Sequence, residues 1–250
     1  MQAYAFAEPA VTQFGFSKTI VAIESALVDV FGLEPLHVPP ALASATGSIQ
    51  RSPVALTTRA YTGKHIRFAR ILTMIGGPIE VTDLLVIPSA TSGAPILAIE
   101  LESDDRERGY AVADLVSMVD DDVTNAAQLR ELARRRPAMV SGDAQVGLVP
   151  LGELPAWRRA WASPRPLHAA VDLEHAASAK RAATAYAATF SAIVREGQPR
   201  PARDVLDRHS GYLRDRRDRD PVIGLIARCF GYDLANQLVE RVLFPRTLPR

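Results

Sequence analysis

The chain has 250 residues, 48% of them hydrophobic and 23% charged, with 29 basic against 28 acidic side chains and a formal net charge of +1. That share of apolar residues supports a sizeable core and excludes wholesale disorder, while the even charge excludes a general attraction to nucleic acid or to an anionic membrane. The lone cysteine, Cys229, excludes an internal disulfide and a cysteine-based zinc site, and the histidines form neither an HxxxH nor an HxH pair, so no metal motif is present.

Along the chain, residues 10–31 predict an amphipathic helix. Ile20, Ile23, Leu27 and Val30 recur at helical spacing, with Lys18, Glu24 and Asp29 between them, and Gly32 ends the pattern. Residues 35–53, rich in Pro, Ala and Ser, predict a loop. Five β-rich runs follow, over 54–62, 64–75, 79–87, 95–102 and 109–118, with short connections that suit an antiparallel meander. Ile79, Val81, Leu85 and Ile87 have one parity and Leu84 and Val86 the other, so both faces of this sheet are apolar and need helices on both sides. Helices are expected over 124–136, 173–195, 200–219, 221–230 and 233–243, with a loop carrying Trp157 and Trp161 over 151–166. The fold expected is a three-layer α/β/α sandwich with a central antiparallel sheet, a single domain over residues 1–250. No run of about 18 apolar residues could span a bilayer, and no secretory pattern opens the chain, so a cytoplasmic protein without a membrane partner is expected.

The hairpin over 79–102 turns between Pro88 and Pro95. If those prolines face each other, constant register sets Asp83 opposite Glu100, both within apolar runs. Like charges directly across a sheet repel, and a buried carboxylate is costly unless paired. At least one of the two is therefore expected to have a raised pKa and to hold a proton useful for general acid chemistry. The alternative is that they sit at a solvated edge or pair with Arg67 or Arg70 on the neighbouring strand. The run RDRRDR at 214–219 reads as a solvated helix face, or as a docking patch for an acidic partner. The arginines at 134–136 read as cations at a helix C-terminus. His65 and His209 read as surface or helix-packing residues. The Gly76-Gly77-Pro78 turn lacks phosphate-loop spacing, and Ser89, Thr91 and Ser92 lack a nucleophile-elbow context.

The segment HIRFARILTMIGGPIEVTDLLVIPSATSGAPILAIEL resembles the central hairpin of ferredoxin-dependent bilin reductases, a superfamily that also includes red chlorophyll catabolite reductase. ELPAWRRAWASP is similar to that family's LP-x-W-G-x-x-x-SP. The C-terminal HSGYLRDRRDRDPVIGLIARCFGYDLANQLVERVLFP carries its Tyr, Asp-Pro, Phe-Gly and Leu-Phe-Pro in order. The resemblance implies an open-chain tetrapyrrole, biliverdin or a related bilin, held between the sheet and the C-terminal helices. It also implies reduction without a bound flavin or metal, using single electrons from a reduced [2Fe-2S] ferredoxin and protons from acidic side chains. By the same resemblance Glu100 falls where most members place a catalytic Asp, Asp83 where one branch has a His and another commonly an Asn, and Asp220 on the Asp-Pro acid of the opposite wall.

Departures accompany it. The loop at 89–93 lacks the usual aromatic or acidic residues, and Ala69 and Ile71 stand near the places of a His-x-Glu found in one branch. The usual propionate-binding Arg is replaced around Ala169 or Ala170. Glu for Asp adds a methylene, about 1.5 Å of reach, and a misplacement of about 1 Å can cost on the order of 10²-fold in rate. Two other expectations are therefore compatible with the sequence: a tetrapyrrole-binding protein without turnover, and a reductase recruited to another conjugated substrate.

Overall fold

The computed structural model describes residues 14–104, 108–118, 148–163, 165–196 and 202–248. Among these, nine strands form one antiparallel sheet: β1 (Glu34–Pro35), β2 (Ser44–Ile49), β3 (Ser52–Thr62), β4 (Ile66–Gly76), β5 (Ile79–Pro88), β6 (Ile96–Ser103), β7 (Arg108–Val116), β8 (Leu148–Pro150) and β9 (Leu167–Asp172). The order is β1-β3-β4-β5-β6-β7-β9-β8, with β2 also pairing β3. Strands β3 to β7 are the expected meander, each running beside the next as short connections require.

The alternation along each strand divides the core in two. Ile71, Leu84, Val86, Leu97, Ile99 and Ala113 face helices α1 (Phe16–Phe31) and α4 (Ala176–Glu196). Alanines 179, 183 and 187 on α4 keep that layer thin, so Tyr186 and Phe190 reach the sheet. Glu80, from the same face of β5, accepts the backbone N–H of Ser17 at 2.7 Å, placing an anion at the positive end of α1. The opposite parity, with Leu72, Leu85, Ile87 and Ala98, packs against α2 (Pro40–Ala43), α5 (Ala202–Arg219), α6 (Val222–Phe230) and α7 (Tyr232–Leu238). The three-layer α/β/α sandwich with a central antiparallel sheet is therefore the architecture, as both apolar parities demanded.

Differences from the expected elements are local. The segment 35–53 is not all loop: it holds α2 and the edge strand β2. The first helix begins at Phe16, and the last expected helix divides into α7 and a π-helical turn over Val239–Leu243. The 151–166 segment contains a four-residue helix, α3 (Ala156–Arg159), and is flanked by β8 and β9. The helix expected over 124–136, with its arginines at 134–136, lies outside the described residues. No helix among the described residues is long and apolar enough to cross a membrane.

Candidate active site

The β5–β6 hairpin keeps constant register from Glu80 to Val86, and Asp83 stands directly opposite Glu100. Both carboxylates project to the side of the C-terminal helices, because they share parity with Leu85 and Ala98. They are 2% and 7% exposed. Asp220, 7% exposed, reaches the same place from the other wall, at the junction of α5 and α6, where its Oδ1 accepts the N–H of Val222 at 3.0 Å. All three acids named from the sequence thus meet in one buried cluster.

Three arginines hold that cluster together. Arg70, fully buried on β4, contacts Asp83 Oδ2 at 2.8 Å and donates to the Asp83 and Leu243 carbonyls. Arg216, buried on α5, is the hub. Its guanidinium lies 3.4 Å from Asp83 Oδ2, 2.9 Å from Glu100 Oε1 and 2.5 Å from Asp220 Oδ2. Arg158, on α3, grips Glu100 with both terminal nitrogens, Nη1 at 2.9 Å from Oε2 and Nη2 on Oε1. The Phe244 ring backs Arg70 and Arg216, whose guanidinium carbons lie 5.1 Å and 4.9 Å from its centroid.

For Glu100 these contacts overturn one expectation. Facing carboxylates were expected to force a proton onto the pair. Burial does push Glu100 up, but Arg158 and Arg216 outweigh it and hold the carboxyl down at about 2. Repulsion between Asp83 and Glu100 is relieved by Arg216, which contacts both, and by Arg70, which pairs with Asp83 as the alternative reading allowed; Arg67 makes neither of these contacts. The raised acids are others. Burial lifts Asp220, against the pull of Arg216. Burial, then the negative charges of Glu100, Asp83 and Asp220, lift Glu102 to about 7. Burial lifts Asp114 to about 6 although its carboxylate accepts the Ser163 N–H at 3.2 Å.

Glu102 and Asp114 belong to this same face: Glu102 is two residues beyond Glu100, and Asp114 stands opposite Ala98. Neither was singled out from the sequence, although the parity that placed Glu100 also places Glu102. Arg216 was misread. The run 214–219 is not a uniformly solvated face, since Arg216 is buried and Arg217 donates to the Phe244 carbonyl at 2.8 Å and 3.0 Å. Its i,i+4 spacing to Asp220 was the available signal. Arg158 had none, since its partner is 58 positions away.

Two other sequence readings shift by one residue. Ala69 and Ile71 face α1, and the β4 residues on the site side are Arg70 and Leu72. On β9, Ala170 lies opposite Tyr110 on the site face, whereas Ala169 pairs with Ala111 of the α1 face. His209 is a buried helix-packing residue and His65 is exposed. Among the described residues one group, Asp172, Glu174 and His175, brings possible metal-ligand atoms within 4.8 Å of one another, but it lies apart from the acids at the end of β9.

The profile described as "Ferredoxin-dependent bilin reductase" matches residues 21–245. No curated protein matches in sequence. Among solved structures, the chain is similar to tomato phytochromobilin synthase in complex with biliverdin, with a TM-score of 0.75 and 17% identity over 92% of this chain and 82% of that one. It is also similar to PcyX, with a TM-score of 0.51 and 11% identity over 91% of this chain and 99% of the other.

Proposed function

This chain belongs to the ferredoxin-dependent bilin reductase family, and we propose that within it the protein reduces biliverdin or a closely related linear tetrapyrrole by proton-coupled single-electron steps. The observation that carries this reading is the convergence of acids from two walls: Asp83 and Glu100 from the sheet, Asp220 from the helices. A flat conjugated molecule lying between those walls would have carboxyl groups on both of its faces. The tomato protein, whose fold this chain shares, was solved with biliverdin bound.

Reducing one carbon–carbon double bond takes two electrons and two protons. Ferredoxin supplies the electrons one at a time, so protons must reach short-lived radical intermediates, and groups already in place do this fastest. Asp220, pushed toward its protonated form by burial, is suited to donate toward a vinyl or ring carbon from the helical side. Glu100 and Asp83 serve the pyrrole nitrogens or lactam oxygens from the sheet side. Glu100 is held ionised by Arg216, which bridges the two walls, and by Arg158, so the bilin can lie against it only when Arg216 shifts and Arg158 turns its guanidinium away. The bilin propionates are the natural anions to receive that guanidinium, which would offset the missing cation at Ala170.

Visible spectra of the purified protein with biliverdin, before and after reduced ferredoxin, test the proposal. A red-shifted complex that converts to a shorter conjugated product is expected. Binding with an unchanged chromophore after reductant would instead support a tetrapyrrole-binding protein without turnover, and no spectral change at either stage would remove biliverdin as the substrate.

A further inference from the structure

The acids of this face outnumber the three arginines that hold them, and one of the surplus acids has no partner among the described residues. Arg70, Arg158 and Arg216 are matched by Asp83, Glu100 and Asp220, each within ion-pair distance of at least one guanidinium. Glu102 and Asp114 are left over, and of these Asp114 accepts the Ser163 N–H. Among the described residues no ion pair or hydrogen bond reaches the Glu102 carboxyl, yet Glu102 stands on the same strand face as Glu100, about 6.5–7 Å further along. The elements around it offer little relief. On β5 the opposing residue is Val81, with Asp83 beyond it; on β7 it is Tyr110, with Asp114 further along. His168 of β9 packs edge-on against Tyr110 at 5.5 Å. Arg158 of α3, and Arg216 and Asp220 of α5 and its end, complete the charged surroundings, and both arginines are committed to other acids. Glu102 is also only half-buried, whereas Asp83, Glu100 and Asp220 are buried.

We propose that Glu102 is the proton store of this site: it carries a proton in the resting protein, gives it to the bilin radical anion and is recharged from solvent. The inference rests on the tetrapyrrole reading above and deepens it. After reduced ferredoxin has passed one electron to the bilin, the Glu102 O–H bond breaks and a new bond to hydrogen forms on the bilin, giving a neutral radical. The O–H electron pair stays on the carboxylate, which then takes a proton from water at its exposed side. An ionised Glu102 would stand beside the ionised Glu100 with no guanidinium of its own, which favours the protonated form. The upward shift to about 7 has the same cause. Such a group is half-protonated where a donor works best, close to neutral pH.

Two measurements test this. In protein labelled with ¹³C at the glutamate carboxyls, one resonance is expected to titrate near pH 7 and to vanish in Glu102→Gln; if every glutamate titrates below about pH 5, as unperturbed ones do, the proton store is refuted. In reactions with biliverdin and reduced ferredoxin, Glu102→Gln is expected to bind biliverdin as the wild type does. It should slow consumption of the radical by about 10²-fold, and Glu102→Asp should restore part of the rate. Wild-type turnover in Glu102→Gln would overturn the donor role. Should the wild type neither bind nor reduce biliverdin, the substrate reading fails and the donor role with it, while the carboxyl titration still decides where the proton is held.

Discussion

Arg158 decides the protonation of Glu100 more directly than any other side chain, because it is bound to both carboxylate oxygens and belongs to a short helix rather than to the sheet. Removing it leaves Glu100 with Arg216 alone, in a site where burial favours the neutral acid. Arg158→Ala is therefore expected to raise the Glu100 pKa and to lower stability at neutral pH, because a charge loses its partner away from water. Adding Glu100→Gln should recover much of that loss. A double-mutant cycle in urea should give a coupling of about 1–3 kcal/mol, and additive effects would show that the pair contributes nothing net. Asp83 and Glu100 were legible in the sequence because carboxylates stand out in apolar strands and a hairpin has a fixed register, whereas Asp220 was named only through the family resemblance and Glu102 and Asp114 were passed over. The charge state of Glu100 was not legible, because it is set by Arg158 and Arg216, whose approach to the sheet depends on tertiary packing that no local pattern encodes.

At the level of elements the meander was legible because β3 to β7 carry long apolar runs between obvious turns. The edge strand β2 was not. Its sequence, SATGSI, is small and polar with no apolar parity, and it is strand because β3 pairs with it and α6 covers it. Gly47 marks that cover. A Cβ there would lie 2.2 Å from the Cys229 carbonyl oxygen and 2.6 Å from the Phe230 ring, so the strand and the C-terminal end of α6 touch backbone to backbone. Gly47→Ala is expected to force them apart and cost about 1–3 kcal/mol, read as a lowered denaturation midpoint. An unchanged midpoint would mean that α6 is free to move away from the sheet. Since α6 begins at the N–H that binds Asp220, the same substitution should also disturb the acid on the helical wall.

For the whole molecule, the buried acids set how stability changes with pH, and they act in opposite directions. Glu100 has its folded pKa near 2, below its ordinary 4.5, so its contribution is present above about pH 4.5 and is lost as the pH falls toward 2. Asp114 is raised from 3.8 to about 6 and Glu102 from 4.5 to about 7, so between those limits the folded chain binds more protons than the unfolded one. Stability from these two groups therefore falls as the pH rises from about 4 to about 7. Glu102 is half-buried and solvent screens it, which leaves Asp114 as the clearer probe. Asp114→Asn keeps an oxygen to accept the Ser163 N–H and has nothing to ionise. Urea unfolding at pH 4 and at pH 7 should show the variant gaining on the wild type by on the order of 2 kcal/mol as the pH rises. Equal pH slopes for the two proteins would place the Asp114 carboxyl in contact with water, and with it the part of the site face where β7 meets the segment after α3.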